Sequence, residues 1–180
     1  MRYADDFVVL CRKDIEAPMN VVNQVLERLG LSLNESKTHI VDATQSSFNF
    51  LGFSIRMNRG RRTGKPYPNV CPSAKSAKKI KEKLTQMTGR NQTSLPLEIM
   101  IRKINLSLRG WTNYFHYRNS SQVLEKVKVH AEQRLRKQLM KRYKIKGRVM
   151  GEGLFPSVDL YKRYGLFKVP GKAGWRSAHA

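Results

Sequence analysis

Two adjacent carboxylates near the start of the chain are the residues best suited to chemistry. They belong to the run Tyr3-Ala4-Asp5-Asp6, which is followed at once by the apolar run Phe7-Val8-Val9-Leu10-Cys11. On a regular strand neighbouring side chains point to opposite faces, but at a tight turn both carboxylates are exposed at the tip. Such hard oxygen ligands suit Mg²⁺, which commonly takes one or two carboxylates and completes its shell with water and phosphate oxygens. The alternative is that Asp5 and Asp6 only form the turn.

Basic residues are the second group of interest, and they are unevenly distributed. Residues 1–55 hold 5 basic and 7 acidic side chains, whereas residues 56–180 hold 30 and 6. A near-neutral segment joined to a strongly cationic one indicates a division between chemistry and polyanion binding, and nucleic acid is the expected polyanion. A merely solvated basic surface is the alternative. The residues that we expect to contact RNA are Arg61, Arg62, Lys75, Lys78, Lys79, Lys81, Lys83, Arg134, Lys137, Lys141 and Arg142.

The composition excludes several classes of protein. The chain has 180 residues and a net charge of +22, and 40% of its residues are hydrophobic, which argues against wholesale disorder. The longest apolar run, Phe7 to Cys11, is far shorter than the roughly 20 residues of a membrane span. No secretory signal is visible, so we expect a cytoplasmic protein with no membrane partner. Cysteines and histidines are scattered, so we expect no zinc site and a buried Cys11.

A small α+β segment is predicted to position the carboxylates. β-branched residues follow the Asp-Asp turn, and Pro18 and Gly30 mark the two ends of an amphipathic pattern. The predicted elements are a β-hairpin over 1–12 with its turn at Asp5-Asp6 and its second strand from Phe7 to Arg12, a helix over 16–29, and extended stretches near 38–41 and 48–56.

A basic segment separates this part from the rest of the chain. Residues 56–72 contain Arg59-Gly60-Arg61-Arg62-Thr63-Gly64-Lys65-Pro66 and few apolar residues, which predicts a loop or linker. The predicted domains are an α+β segment over 1–56, a basic linker over 57–72, a helical domain over 73–143 and a basic tail of uncertain structure over 144–180.

Three amphipathic patterns in the domain after the linker predict a helical bundle. Ser73 is a suitable N-cap for the first helix, the second begins near Pro96 and is predicted to end at Gly110, and the third runs from Ser121 to Tyr143. The predicted apolar stripes consist of Ile80, Leu84 and Met87 in the first helix, Leu97, Ile101, Ile104 and Leu108 in the second, and Leu124, Val127, Ala131, Leu135 and Leu139 in the third.

Three aromatic residues after Gly110 have the spacing of one helix face. Trp111, Tyr114 and Phe115 are three and four residues apart, which favours a helix that packs these rings against its neighbours. The alternative is that their rings stack on bases, because aromatic faces bind single strands with little sequence preference.

Four ordered runs of residues resemble the reverse transcriptases that are encoded within bacterial group II introns. Together they extend over residues 1 to about 118. The runs are Tyr3-Ala4-Asp5-Asp6, Leu29-Gly30-Leu31-Ser32-Leu33-Asn34-Glu35-Ser36-Lys37-Thr38, Phe50-Leu51-Gly52-Phe53 and Gly110-Trp111-Thr112-Asn113-Tyr114-Phe115. The resemblance implies the C-terminal part of a polymerase palm over the α+β segment and a thumb and maturase (X) domain over the helical bundle.

The resemblance also implies roles for individual residues. Asp5 would ligate catalytic Mg²⁺ with Asp6 beside it, and Tyr3, Ala4, Lys37 and Gly52 would lie near the nucleotide or the primer. For Lys37 the alternative is a solvated lysine. For Gly52, whose missing Cβ allows a close approach of the backbone, the alternative is a strand bulge. The implied partners are intron RNA and, in the intact enzyme, an RNA template and a DNA primer.

Two-metal phosphoryl transfer needs more ligands than one hairpin supplies. In the resembled family another aspartate and the fingers precede the hairpin, and this chain starts at Met1. We therefore expect the C-terminal half of an RNA-directed DNA polymerase with maturase function in intron splicing and mobility. We expect it to be inactive alone, and a separately encoded N-terminal half is a further candidate partner. The alternative is a non-catalytic, RNA-binding, maturase-like protein that retains only a vestigial palm.

Overall fold

A computed structural model of the chain describes residues 2–3, 6–12, 14–34, 36–145 and 151–172, with the backbone alone at residues 2 and 3. The chain divides into two compact units, residues 1–42 and residues 43–180. Both helices and antiparallel strands are present, as expected for an α+β protein. Each unit is described by itself.

The first unit begins with the predicted β-hairpin, which is shorter than expected. Strand β1 (Arg2–Tyr3) pairs with β2 (Asp6–Phe7), and Tyr3 lies opposite Asp6. Asp6 is therefore a strand residue and not part of the turn, while positions 4 and 5 lie outside the described residues. The predicted strand to Arg12 is wrong, because β1 offers hydrogen-bonding partners to only two residues.

Helix α1 (Glu16–Arg28) follows and confirms the predicted helix. It ends in a Schellman motif: Gly30 has φ +65°, its N–H donates to Glu27, and the N–H of Leu31 donates to Leu26. None of the helix's residues is buried, and Val21 and Val25 are exposed on it.

Two other expectations for the first unit are wrong. The predicted extended stretch over 38–41 forms no strand, and Thr38 instead closes a local turn by donating to the carbonyl oxygen of Asn34. Cys11 is exposed, because no part of this unit encloses a core around it.

An antiparallel three-stranded sheet opens the second unit. It consists of β3 (Phe48–Phe50), β4 (Phe53–Arg59) and β5 (Pro66–Pro72), with β4 in the centre. Most of the predicted linker over 57–72 is therefore strand, and the prediction of a loop is correct only for its tip. The prolines of β5 are compatible with a strand because β5 is an edge strand, where missing N–H donors are tolerated.

Helices make up the rest of the second unit and confirm the predicted bundle. The helices are α2 (Ala74–Met87), a 3₁₀ turn (Arg90–Gln92), α3 (Leu97–Phe115), α4 (Ser121–Arg142), α5 (Gly151–Leu154) and α6 (Ser157–Lys162). Ser73 caps α2 as predicted, since its Oγ accepts from the N–H of Ser76 at 3.2 Å. The predicted end at Gly110 is wrong: α3 continues to Phe115, because burial of Thr112 and Phe115 outweighs the roughly 1 kcal/mol that a helical glycine costs.

The core lies between α2, α3 and α4. The predicted stripes are confirmed for their buried members, while Met87 and Leu97 are partly buried against them. Phe155, Leu160, Leu166 and Val169 are also buried in this core, so described residues of the predicted basic tail pack on the bundle. Within the described part of the chain, no helix is long and apolar enough to cross a membrane.

Candidate nucleic-acid interface and carboxylate hairpin

The carboxylate hairpin contributes one described acidic side chain. Asp6 is exposed on β2, whereas Asp5 and Ala4 lie outside the described residues and Tyr3 is described only in its backbone. No group of three or more His, Cys, Asp or Glu side chains that could hold a metal occurs among the described residues. The carboxylate of Asp6 is the type of ligand that Mg²⁺ prefers, but this one carboxylate does not form a metal site. The metal role of Asp5 and Asp6 stays a prediction.

The turn between β3 and β4 contains Gly52 and is tied to the helices. Leu51 (φ +49°) and Gly52 (φ +80°) form a two-residue hairpin loop with positive φ at both positions. The carbonyl oxygen of Gly52 accepts from the Ser73 N–H at 2.8 Å and from Ser76 Oγ at 2.9 Å. Tyr114 Oη donates to the carbonyl oxygen of Leu51 at 3.0 Å. This turn therefore joins the sheet to the start of α2 and the end of α3.

Packing within the chain explains why position 52 is glycine. A Cβ there would lie 3.1 Å from Phe115 Cζ and 3.0 Å from Ser76 Oγ. The strand-bulge interpretation is wrong, because the residue is in a turn. A primer contact by Gly52 stays a prediction, as does a nucleotide contact by Lys37, which is exposed in the first unit.

The aromatic residues near the end of α3 pack mainly on the sheet. Phe53 on β4 has its ring centroid 5.0 Å from that of Phe115 and 5.7 Å from that of Tyr114, and Trp111 lies 4.8 Å from Phe115. Phe115 is buried and Trp111 is partly buried against the core. The packing interpretation is confirmed for these two. Tyr114 is 55% exposed, although its hydroxyl is held by Leu51.

Helix α2 presents most of its lysines to solvent. Lys75, Lys78, Lys79 and Lys83 are exposed, and Lys81 is half-buried. An ion pair joins Lys78 to Glu82 at 3.8 Å, and such an exposed pair contributes little to stability. These lysines are therefore available to a polyanion.

Two of the α4 arginines bind the segment between α2 and α3: Arg134 at the end of α2, and Arg142 in the connection that follows. Arg134 donates to Thr88 Oγ1 at 2.8 Å and to the Thr88 carbonyl oxygen at 3.0 Å, and Arg142 donates to the carbonyl oxygens of Gln92 and Leu95. Gln138 lies between them and donates to the carbonyl oxygens of Thr88 and Gly89 at 2.7 and 2.6 Å. These donors satisfy carbonyls that a helix end leaves unpaired. The four-residue spacing 134, 138, 142 is a sequence signal for one helix face, and the sequence analysis did not use it.

A third α4 arginine is buried in an ion pair. Arg136 Nη2 lies 3.2 Å from Glu132 Oε2 and donates to Ser157 Oγ, while its Nε donates to the Phe155 carbonyl oxygen. Burial raises the pKa of Glu132, but hydrogen bonds from Tyr161 and Ser157 and the charge of Arg136 outweigh burial and lower it overall. This network attaches α6 to α4.

Positive charge is crowded along the α2–α4 basic face, which we define as Lys81, Arg90, Arg134, Lys137 and Lys141. Desolvation, followed by the charges of Arg90, Arg134 and Lys137, lowers the pKa of Lys141. The pKa of His130 is lowered first by burial and then by the charges of Lys81, Arg134 and Lys137, against a hydrogen bond to the Lys81 carbonyl oxygen. Desolvation is the largest cause of both shifts, and the neighbouring positive charges act in the same direction.

Comparisons with known proteins agree with this arrangement. Residues 1–55 match the family model described as reverse transcriptase (RNA-dependent DNA polymerase), and residues 77–151 match the model described as group II intron, maturase-specific domain. A comparison with curated proteins gives no significant match.

The two matches define a class of protein with a polymerase segment before a maturase domain. The first covers the Asp5-Asp6 run, Lys37 and Gly52, and the second covers most of α2 and all of α3 and α4. The chain is therefore similar to group II intron reverse transcriptases and maturases over these two segments. The resemblance seen in the sequence is confirmed, while a bacterial source stays a prediction.

Proposed function

We propose that the helical part of the chain binds intron RNA through the α2–α4 basic face and assists RNA folding during splicing and intron mobility. The crowding of like charges on this face carries the proposal. Cations that repel one another gain from contact with phosphates, which also releases the counterions of the RNA. Arg134 and Arg142 are half-buried and donate to the segment between α2 and α3, so they are less mobile as phosphate ligands than the exposed lysines.

The experiment compares two triple variants. Replacing Lys81, Lys137 and Lys141 by Gln removes three charges from the α2–α4 basic face and is expected to weaken RNA binding at least about tenfold at moderate salt. Replacing Lys103, Lys162 and Lys172 by Gln removes the same charge elsewhere and serves as the matched control. Equal affinities in a fluorescence anisotropy titration with a structured intron RNA would refute the proposal for this face.

We further propose that Asp5 and Asp6 contribute ligands to a two-ion Mg²⁺ site when the hairpin is part of an intact polymerase, which would act on an RNA template and a DNA primer. Ligand chemistry supports this, because Mg²⁺ prefers carboxylate oxygens. The exposed apolar residues of α1 support a partner that covers them, such as a separately encoded N-terminal half. We assign this function to the cytoplasm.

The second candidate is a non-catalytic, RNA-binding, maturase-like protein that retains only a vestigial palm. Primer extension distinguishes the two. With Mg²⁺, deoxynucleotides and a primed RNA template, we expect the chain alone to be inactive. Extension that disappears in Asp5→Ala would show that the chain is a polymerase by itself.

A further inference from the structure

One face of the three-stranded sheet carries polar side chains that the rest of the described chain does not use. Strand pairing places Arg56 opposite Asn69 and Asn58 opposite Tyr67, so these four residues share a face, which we call the polar sheet face. The opposite face contains Phe53, Ile55, Met57 and their partners. Arg56 and Tyr67 are exposed, Asn58 and Asn69 are half-buried, and none of the four side chains makes a hydrogen bond or ion pair with another described residue.

The chemistry of this face matches nucleic acid. It offers a guanidinium group, two amides and an aromatic ring, which are groups that bind phosphates, base edges and base faces. The segment from Ala43 to Lys81 contains nine Lys or Arg residues and no Asp or Glu. An acidic ligand therefore meets no repulsive carboxylate from this segment, and the turn beyond the face adds the exposed Arg61 and Arg62.

The β5 edge of the sheet, which borders the polar sheet face, is closed to a partner strand. Pro66, Pro68 and Pro72 on the edge strand β5 have no N–H to donate. The backbone groups of Val70 are occupied by Asn119, whose N–H donates at 3.0 Å to the Val70 carbonyl oxygen and whose Oδ1 accepts from the Val70 N–H at 3.4 Å. Strand addition is thereby blocked over most of β5.

We propose that the polar sheet face binds a single-stranded segment of RNA, with the Tyr67 ring stacked on a base and Arg56 on a phosphate. Asn58 and Asn69 then hydrogen-bond the edges of neighbouring bases. A single strand is preferred over a duplex because bases inside a duplex do not expose their faces to an aromatic side chain. The seven residues of β4 extend over about 23 Å, enough for a site of a few nucleotides. The inference rests on the proposed RNA-binding function and assigns a second surface to it.

Photo-crosslinking of the unaltered chain tests the position of the contact. A single-stranded oligonucleotide with 4-thiouridine is irradiated with the chain, and tryptic peptides are analysed by mass spectrometry. We expect crosslinks on the peptide over residues 63–75, which contains Tyr67, and we expect unlabelled single strands to compete better than duplex of the same sequence. Equal competition by duplex or by poly-glutamate would overturn base recognition at this face.

Variants separate stacking from charge. Tyr67→Leu is expected to weaken single-strand binding at least about fivefold without changing the salt dependence, and Tyr67→Phe is expected to retain binding because it keeps the ring. Arg56→Gln should make the slope of log K against log salt shallower by about 0.7. Binding of the parent chain with no effect of Tyr67→Leu and no crosslink on residues 63–75 overturns the proposal and leaves the proposed function intact. Absence of any RNA binding by the parent would refute the proposed function itself.

Discussion

Gly52 is the residue whose conformation and packing are most restrictive. With φ +80° and Phe115 Cζ 3.1 Å from the position of a Cβ, Gly52→Ala is expected to destabilise the fold by about 2 kcal/mol. Gly110 is the matched control, since it lies inside α3 and, apart from the nearby backbone of that helix, no atom of the described residues is within 4 Å of its Cβ position. Gly110→Ala should stabilise by up to about 1 kcal/mol. Urea unfolding measures the free energy of unfolding of both variants, which should be lower than that of the parent for Gly52→Ala and higher for Gly110→Ala.

Glu132 gives the fold a dependence on pH. Its pKa is lowered in the folded state from an ordinary value of 4.5, so its stabilising contribution is present above that value and is lost as the pH falls through the lowered pKa. Glu132→Gln leaves the buried Arg136 with only the exposed Glu152, 3.9 Å away, as a counter-ion and should cost about 3 kcal/mol near neutral pH. The difference between parent and variant should shrink as the pH falls below about 4.5, as urea unfolding at each pH will measure. A difference that does not change with pH would contradict the account of this network.

The sequence could not distinguish the roles of the α4 cations. Lys137 and Lys141 are exposed, but Arg134, Arg136 and Arg142 donate to carbonyl oxygens of other elements. Which oxygen faces a side chain depends on how two helices pack, and local sequence does not contain that information. The carboxylates of the hairpin could be predicted as Mg²⁺ ligands from their residue type. A complete metal site needs further ligands, which the local sequence of the hairpin does not identify.

At the scale of elements, Arg134 and Lys137 provide a matched pair on one helix. Each loses one charge on substitution by Gln. Arg134→Gln also removes the bonds that hold the end of α2, so we expect it to destabilise by about 2 kcal/mol, seen as a lower melting temperature. Lys137→Gln should melt as the parent does and weaken RNA binding. The account is contradicted if Lys137→Gln lowers the melting temperature as much as Arg134→Gln.

Helices were easier to predict than strands in this chain. The stripes in α2, α3 and α4 are long and periodic, and packing buries the residues that the periodicity selects. The hairpin of β4 and β5 was missed because its prolines and glycines are local loop signals, whereas their tolerance depends on β5 being an edge strand. The end of α3 was wrongly predicted at Gly110, because the low helix propensity of glycine was considered without the burial of Phe115.

For the whole molecule, the division into units predicts where the chain can be cut. Residues 43–180 contain the entire sheet and bundle, and we expect this segment to fold cooperatively and to keep the RNA affinity of the full chain. A cut at residue 56 removes β3 and Phe53, so residues 56–180 should melt at a lower temperature. Circular dichroism melts of both segments measure this. Equal melting temperatures would contradict the assignment of β3 and β4 to the second unit.

The salt dependence of RNA binding by the full chain tests the central claim most directly. If the chain binds RNA by phosphate contacts from its basic second unit, log K must fall linearly with log salt at roughly 0.7 to 0.9 per phosphate neutralised. With about five to eight contacts, we predict a slope between about −4 and −7 in an anisotropy titration series with intron RNA. A slope near zero, or no binding at low salt, would contradict the account.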